Sequence, residues 1–120
     1  MPERNILHSE LSENAVVVVP LRDVGSLAEE HVRSELDAVL AQVQQSGAKN
    51  VVVDFAHLPC FGTAMLEVML AIWRRVRVDA GKMAVCNASE MEREVLRISA
   101  FDSLWPMCDS REEAFESFKE

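Results

Sequence analysis

The sequence lacks the motifs that mark common enzyme sites. Only four glycines occur in 120 residues, and neither a GxGxxG nor a GxxxxGK[ST] phosphate-binding pattern is present. The GxSxG nucleophile elbow of α/β-hydrolases is missing as well. Adjacent carboxylates lie only where helices are expected to start. These absences favour a protein that is not an enzyme and has no catalytic residues.

Cysteine and histidine are also few, and they follow no metal-binding pattern. Cys60, Cys86 and Cys108 are odd in number and show no CxxC spacing, and the three histidines form no HxxxH pair. Cys86 and Cys108 end apolar segments, so we expect both in the core. Reduced thiols in a cytoplasmic protein are the simplest interpretation. We therefore expect no metal site, no cofactor and no catalytic role for Cys60.

Basic residues are outnumbered by acidic ones, 12 to 20, which gives a net charge of −8. A phosphate backbone or an anionic lipid surface attracts Lys and Arg, so nucleic-acid and membrane binding are not expected. No apolar run approaches the ~20 residues of a membrane helix. The first residues lack the basic and then apolar layout of a secretory signal.

The chain does contain short apolar runs that predict strands. Val16–Val19 and Val51–Val53 are continuous β-branched runs, typical of strands that are covered on both faces. Weaker strand candidates are Asn5–Leu11, Lys82–Cys86 and Trp105–Cys108. Five strands are thus expected, each short.

Helical patterns fall between these runs. Apolar residues recur at helical spacing from Ala28 to Ser46, and a second helix is predicted from Thr63 to Ala80, stopped by Gly81. Two further helices are predicted from capping boxes, in which a Ser is followed three residues later by a Glu. These boxes are Ser89 with Glu92, and Ser110 with Glu113.

The spacing of apolar residues predicts which side of the last two helices faces the core. In the third helix these residues are Met91, Val95 and Ile98. In the fourth they are Ala114, Phe115 and Phe118. Strands that alternate with helices indicate a largely parallel sheet, in which the two consecutive first strands form an antiparallel edge. We predict one α/β domain over residues 1–120, with about five strands and four helices.

One loop stands where α/β proteins often place their functional groups. It joins the central strand to the most apolar helix and includes Cys60, Phe61, Gly62 and Thr63. Ligands of such folds bind where strand carboxyl ends meet helix amino ends. We expect Thr63 at the N-cap, with its hydroxyl accepting a backbone N–H. On this ground alone, a purely structural cap and a functional hydroxyl are both open.

An ordered set of segments resembles a STAS domain, and specifically the bacterial anti-sigma factor antagonists. The resemblance covers residues 16–120. Its segments are the run Val51-Val52-Val53-Asp54, the loop Pro59-Cys60-Phe61-Gly62-Thr63-Ala64, the helix through Trp73-Arg74-Arg75, the stretch Phe101-Asp102-Ser103-Leu104-Trp105-Pro106 and the final Ser110-Arg111-Glu112-Glu113-Ala114. The resemblance implies a STAS-type fold with a mixed, mostly parallel sheet.

The family loop usually consists of Asp-Ser-Ser/Thr-Gly-Leu, with its first Ser as the phosphoacceptor. On this chain that Ser falls on Thr63, while the family Asp and Gly fall on Gly62 and Met65. The resemblance therefore implies a regulatory interaction domain that binds an anti-sigma factor or serine/threonine kinase, with Thr63 as the phosphoacceptor. Phosphate would add a charge of about −2 to the contact surface and release the partner.

The contact surface implied by the resemblance is formed by Cys60, Phe61, Gly62, Thr63 and Met65. If the side chains of Cys60, Phe61 and Met65 point outward, they form an apolar patch that suits a partner or a second copy of the chain. An alternative function is a scaffold or small-ligand sensor that uses the same surface without phosphorylation. Gly62 and Met65, which depart from the family pattern, favour this alternative.

Overall fold

The computed structural model describes residues 6–26 and 28–119. Within them, five strands and four α-helices alternate in the predicted order. The strands are β1 (Leu7–Ser12), β2 (Ala15–Pro20), β3 (Asn50–Asp54), β4 (Met83–Cys86) and β5 (Met107–Cys108). The helices are α1 (Glu30–Ser46), α2 (Thr63–Val78), α3 (Glu90–Ile98) and α4 (Arg111–Ser117). Asn5, which is predicted to begin the first strand, lies outside the described residues.

The strands form one mixed sheet in the order β1-β2-β3-β4-β5. β1 and β2 are antiparallel, as predicted, and the turn between them places Glu13 and Asn14 at positive φ (54° and 65°). Two consecutive residues at positive φ are what a tight hairpin turn requires. The other neighbouring strands run parallel. The loops that follow β2, β3 and β4 therefore meet at one edge of the sheet.

Both faces of the sheet are covered, as the continuous valine runs predict. Val51 and Val53 belong to the core cluster that includes residues of α1, α2 and α3. Val52 lies between them and belongs to a second cluster, which includes Ala114 of α4. All three valines are fully buried. The predicted inward side of α4 is confirmed, because Phe115 and Phe118 pack partly buried against this second cluster.

The end of α2 follows a Schellman motif in which Ala80, not Gly81, takes the left-handed conformation (φ 61°). The Ala80 N–H donates to the Arg77 carbonyl oxygen (3.1 Å), and the Gly81 N–H donates to that of Val76 (2.9 Å). Gly81 is needed for a different reason. A Cβ at this position would lie 1.9 Å from the Lys49 carbonyl oxygen, so only glycine lets the two segments come this close.

The predicted inward side of α3 is wrong. Met91 and Ile98 are 64% and 70% exposed, and Val95 is half-buried. The residues that face the core are Glu92 and Leu96. The apolar stripe thus has the right period, but the helix is rotated so that much of the stripe faces solvent.

The capping box explains this rotation. The Ser89 hydroxyl accepts the Glu92 N–H at 3.1 Å, and the Glu92 carboxylate accepts the Ser89 N–H at 2.9 Å. This reciprocal pair turns Glu92 toward the protein, and Leu96 follows on the same side one turn later. The second predicted box is half confirmed. Ser110 caps the Glu113 N–H, but the Glu113 carboxylate accepts the N–H of Asp109 instead of that of Ser110.

Candidate functional site

The β3–α2 loop, residues 55–62, is held from below by aromatic packing. Phe55 and Leu58 are buried. The ring of Phe61 is half-buried and packs against that of Phe55, with centroids 5.0 Å apart. Cys60, next to Phe61, is exposed. The loop therefore presents a surface that its own buried side chains fix in place.

Two hydrogen bonds tie this loop to neighbouring segments. The Ser89 hydroxyl, at the start of α3, donates to the Pro59 carbonyl oxygen at 2.7 Å. The Asp23 carboxylate, in the loop between β2 and α1, accepts the Gly62 N–H at 3.0 Å. It also accepts the N–H of Val24 at 2.8 Å. The Asp23 carboxylate thus lies at the amino end of α2, where negative charge is favourable.

Thr63 lies one position further into α2 than predicted. Gly62 is the N-cap residue, in an extended conformation, and α2 begins at Thr63 without any side-chain cap. The expectation that the Thr63 hydroxyl caps the helix is therefore wrong. The cause is geometric, because a residue that already has helical dihedrals cannot also be the extended N-cap residue. Thr63 is exposed, so the structure leaves its hydroxyl outside the capping of α2.

Met65 does not belong to the surface. Its side chain is fully buried in the core under α2, so the expected outward patch of Cys60, Phe61 and Met65 is wrong in that member. Cys60, Gly62 and Thr63 are exposed, with Phe61 half-buried among them. Met91, in the first turn of α3, is an exposed apolar side chain two residues after Ser89, whose hydroxyl bonds to the Pro59 carbonyl oxygen of this loop.

Glu92 is a second carboxylate near the loop, and it is buried. Its relative exposure is 1%, and its second oxygen has no hydrogen-bond partner among the described residues. Burial raises the pKa of the Glu92 carboxyl, and the negative charge of Asp23 adds to this rise, while hydrogen bonds from Ser89 oppose it. Sequence analysis predicted the capping role of Glu92 but not its burial.

A polar cluster around one buried carboxylate, the Asp54 cluster, lies at the same edge of the sheet. It comprises Asp54 with Asn87, Arg111 and Glu10. The Asp54 carboxylate accepts the side-chain amide of Asn87 (2.9 Å), the Nε of Arg111 (2.7 Å) and the Ala56 N–H (2.9 Å). Arg111 also donates to Glu10 at 2.9 Å. The cluster thus joins β1, the end of β3, the loop after β4, and α4.

The charge state of the cluster follows from these bonds. Burial alone would raise the pKa of Asp54, but hydrogen bonds from Asn87, Arg111 and Ala56 outweigh it and lower the pKa below its ordinary value. The Arg111 pKa is raised, chiefly by its hydrogen bond to Asp54. Asp54 and Arg111 are therefore a stable ion pair at neutral pH.

The cysteines divide as predicted. Cys86 and Cys108 are buried and Cys60 is exposed, all three with free thiols. Burial raises the pKa of Cys86 to about 12 and also raises that of Cys108. A thiol with a raised pKa is a poor nucleophile, so the two buried cysteines act as small apolar side chains.

A five-stranded mixed sheet covered by four helices defines a small α/β domain, and the first residue of α2, Thr63, presents an exposed hydroxyl beside the loop that precedes this helix. The family model for the STAS domain matches residues 10–114. The protein therefore belongs to the STAS domain family, as its motifs predicted. Anti-sigma factor antagonists of this family are regulatory binding proteins.

Relatives and solved structures agree with this assignment. BtrV of Bordetella bronchiseptica, named as a candidate anti-sigma factor antagonist, is 35% identical over 85 residues, which cover 71% of this chain and 73% of BtrV. An anti-sigma-factor antagonist (STAS) domain protein from Planctomyces limnophilus superposes with a TM-score of 0.76 at 24% identity, over 95% of this chain and 98% of that one.

SpoIIAA, an anti-sigma factor antagonist, has the same fold in both of its solved forms. The unphosphorylated form gives a TM-score of 0.70 at 21% identity, covering 92% of this chain and 94% of SpoIIAA. The phosphorylated form, from Bacillus, gives a TM-score of 0.64 at 22% identity, covering 92% of this chain and 97% of that chain.

None of the helices in the described part of this chain has the length and apolar character needed to cross a bilayer.

Proposed function

We propose that this chain is an anti-sigma factor antagonist in a partner-switching system. It binds an anti-sigma factor that is also a serine/threonine kinase, and phosphorylation of Thr63 ends the complex. BtrV and SpoIIAA, both of which are named as anti-sigma factor antagonists, support the proposal, and SpoIIAA also has a solved phosphorylated form. The chain would act in the cytoplasm, which three free thiols favour. It would bind its partner without catalytic residues or a cofactor of its own.

The observation that carries the proposal is the position of the Thr63 hydroxyl. Thr63 is exposed at the first position of α2, and its side chain makes no capping bond. A hydroxyl that the fold does not use for capping is accessible to a kinase. The helix amino end also tolerates the product, because exposed backbone amides favour a bound phosphate.

Asp23 supports the proposal in a second way. The family loop has an Asp directly before its phosphoacceptor, and this chain has Gly62 there. The Asp23 carboxylate lies 3.0 Å from the Gly62 nitrogen. An acidic group therefore lies beside the start of α2, although the residue directly before Thr63 is a glycine. We infer that Asp23 takes the place of the missing family Asp, in ordering the loop or in contacting the kinase.

Phosphorylation would act by charge and size. The γ-phosphorus of ATP forms a bond to the Thr63 oxygen, its bond to the β–γ bridging oxygen breaks, and the hydroxyl proton passes to the kinase or to solvent. The product adds a charge of about −2 close to Asp23. A partner docked over Gly62, Thr63 and the exposed Met91 would have to desolvate that charge, so it is released.

The first experiment uses a feature of the composition. Thr63 is the only threonine in the chain, and there is no tyrosine. The protein is incubated with ATP and an anti-sigma factor kinase from the same organism, and then hydrolysed for phosphoamino-acid analysis. Phosphothreonine identifies Thr63 without further mapping, and Thr63→Ala must abolish it. Phosphoserine alone, or no phosphate, contradicts the proposed acceptor.

The second experiment measures binding. Thr63→Glu should weaken binding to the same kinase at least tenfold, about 1.4 kcal/mol, because one charge must be desolvated in the contact. Thr63→Ala should bind like wild type. Ser34→Glu adds the same charge on the exposed side of α1 and should change nothing. If Thr63→Glu binds as tightly as wild type, the scaffold or sensor function replaces the switch.

A further inference from the structure

The Ser89 hydroxyl makes two hydrogen bonds at once. It is the N-cap side chain of α3, where it accepts the Glu92 N–H at 3.1 Å. It also donates to the Pro59 carbonyl oxygen, in the loop before α2, at 2.7 Å. A serine hydroxyl has one proton to donate and lone pairs that accept, so the two bonds do not compete. One side chain therefore joins the start of α3 to the loop that leads to Thr63.

Ser89 is itself held by buried groups. Its N–H donates to the carboxylate of Glu92 at 2.9 Å, and Glu92 is 1% exposed. Two residues before Ser89, Asn87 takes the left-handed conformation (φ 60°) and donates its side-chain amide to Asp54 at 2.9 Å. The capping box and the Asp54 cluster thus fix the position of the hydroxyl on both sides. The bond to Pro59 passes this fixed position on to the loop.

The segment that Ser89 holds leads directly to Thr63. Pro59 is its first residue, and Gly62, its last, donates its N–H to the Asp23 carboxylate at 3.0 Å. The segment before the acceptor is therefore bonded at both ends. A loop that is already ordered does not have to lose conformational entropy when a partner binds it.

We propose that Ser89 is a positioning residue for the phosphorylation of Thr63, because its bond to Pro59 holds the loop in the conformation that the kinase binds. This inference rests on the proposed function, since it concerns the same acceptor. Ser89 acts through the loop and takes no part in phosphoryl transfer. Loss of its bond makes the bound loop harder to form and leaves the chemistry at Thr63 unchanged. The KM for this protein as substrate should therefore rise while kcat stays nearly constant.

The test compares two serines that begin helices. Ser89 and Ser110 each cap a backbone N–H at 3.1 Å, but among the described residues the Ser110 hydroxyl makes no bond to the loop before α2. Ser89→Ala removes a cap and the bond to Pro59, whereas Ser110→Ala removes a cap only. Both variants should lose a similar amount of thermal stability, because each loses one N-cap. Ser89→Thr keeps a hydroxyl at the same place.

The kinetic readout is phosphorylation of Thr63 by the same anti-sigma factor kinase, with the protein concentration varied at saturating ATP. Ser89→Ala should raise KM at least about threefold, because the loop must be ordered on binding. Ser110→Ala should leave KM unchanged, and Ser89→Thr should restore it. A purely structural role of Ser89 would instead give Ser89→Ala and Ser110→Ala the same KM.

A second readout needs no kinase. Amide hydrogen exchange at Cys60, Phe61 and Gly62 reports local opening of the loop. Exchange at these amides should speed up at least about threefold in Ser89→Ala and stay unchanged in Ser110→Ala. If Ser89→Ala does not fold, Ser89→Gly removes the same hydroxyl at a smaller cost to the cap.

The outcomes separate this inference from the proposed function. If wild type takes up no phosphothreonine, the proposed function is contradicted, and the role of Ser89 toward a kinase falls with it. If wild type is phosphorylated but Ser89→Ala has the KM of Ser110→Ala, only the role of Ser89 is contradicted. Unchanged loop exchange in Ser89→Ala would contradict it as well, because the bond to Pro59 would then not order the loop.

Discussion

Two polar sites at the same edge of the sheet are built in opposite ways. Asp54 is 3% exposed, and its carboxylate accepts three hydrogen bonds, from the loop after β3, the loop after β4 and α4. The Thr63 side chain, nine residues later, is exposed and makes no capping bond. A buried polar group must have its hydrogen bonds satisfied within the protein, whereas an exposed one can change partners.

The two sites therefore have different roles in the domain, one in stability and one at the surface. The Asp54 cluster joins β1, β3, the loop after β4, and α4, so it fixes the positions of these elements relative to one another. These joined elements are called the frame below. Thr63 lies on that frame with its hydroxyl uncommitted to the cap. Substitutions in the frame should therefore affect stability most, and substitutions at Thr63 should affect it least.

The largest effect is expected at the centre of the sheet. Val52 is fully buried between β2 and β4. Val52→Asp places an unpaired charge there, at a cost that exceeds the stability of most small domains. The variant should be unfolded by circular dichroism at 25 °C. A melting temperature within a few degrees of wild type would contradict the assignment of β3 to the core.

Within the frame, Asp54→Ala should lower the free energy of unfolding by about 2–4 kcal/mol, because Arg111 and Asn87 lose their shared acceptor. Urea titration measures the loss. Glu10→Ala removes the other carboxylate on Arg111, but the Glu10 side chain is 44% exposed, so solvent screening makes its loss much smaller. Equal losses of unfolding free energy in Asp54→Ala and Glu10→Ala would contradict the conclusion that the buried carboxylate stabilises the cluster more than the exposed one.

The same cluster predicts acid sensitivity. The folded pKa of Asp54 is below its ordinary value of 3.8. Its stabilising contribution is therefore complete above about pH 4 and is lost as the pH falls through the lowered folded pKa. The stability difference between wild type and Asp54→Ala should shrink in that range. A difference that is constant from neutral pH down to the lowest pH at which both proteins stay folded would rule out the ion pair as its source.

Glu92 should show the opposite dependence. Its pKa is raised by burial, so its contribution is complete below the unfolded pKa and is lost as the pH rises through the raised folded value. Wild type should gain stability relative to Glu92→Gln when the pH is lowered from about 7 to about 4.5. Gln keeps the capping acceptor but does not titrate. If the free energies of unfolding of the two proteins change with pH in parallel, the raised pKa of Glu92 in the folded protein is contradicted.

The smallest effect is expected for Thr63→Glu. An acidic residue is tolerated in the first turn of a helix. The free energy of unfolding of the Thr63→Glu variant should therefore stay within about 0.5 kcal/mol of that of wild type. Thermal melts compare the two proteins. A large destabilisation would mean that the Thr63 hydroxyl has a structural role, and the contrast with Asp54 would not hold.

Local patterns predicted the elements well. The valine runs predicted β2 and β3, because continuous β-branched residues have few alternatives to a buried strand. Ser89 and Glu92 located the start of α3, because a capping box acts within four residues. The same local rule could not predict the rotation of α3. Whether Glu92 or Met91 is the buried residue depends on the rest of the fold.

The parts that were missed depend on contacts between distant residues. Asp23 and Gly62 are 39 positions apart, and Asp54 and Arg111 are 57 apart. No spacing rule connects such residues, so the carboxylate beside Thr63 had no signal in a single sequence. The burial of Met65 is different, because Met65, Met69 and Ile72 recur at helical spacing and are all buried in α2. This spacing is a signal in the sequence that could have placed Met65 in the core.

The contact between Asp23 and Gly62 bears on how this protein would be recognised. A synthetic peptide covering residues 55–70 would contain the Thr63 hydroxyl but neither Asp23 nor the Ser89 hydroxyl that holds Pro59. Its loop would also lack the helical start that presents the threonine. An enzyme that modifies Thr63 would therefore need the folded domain as its substrate, and inhibitors based on the linear loop would be poor mimics of it.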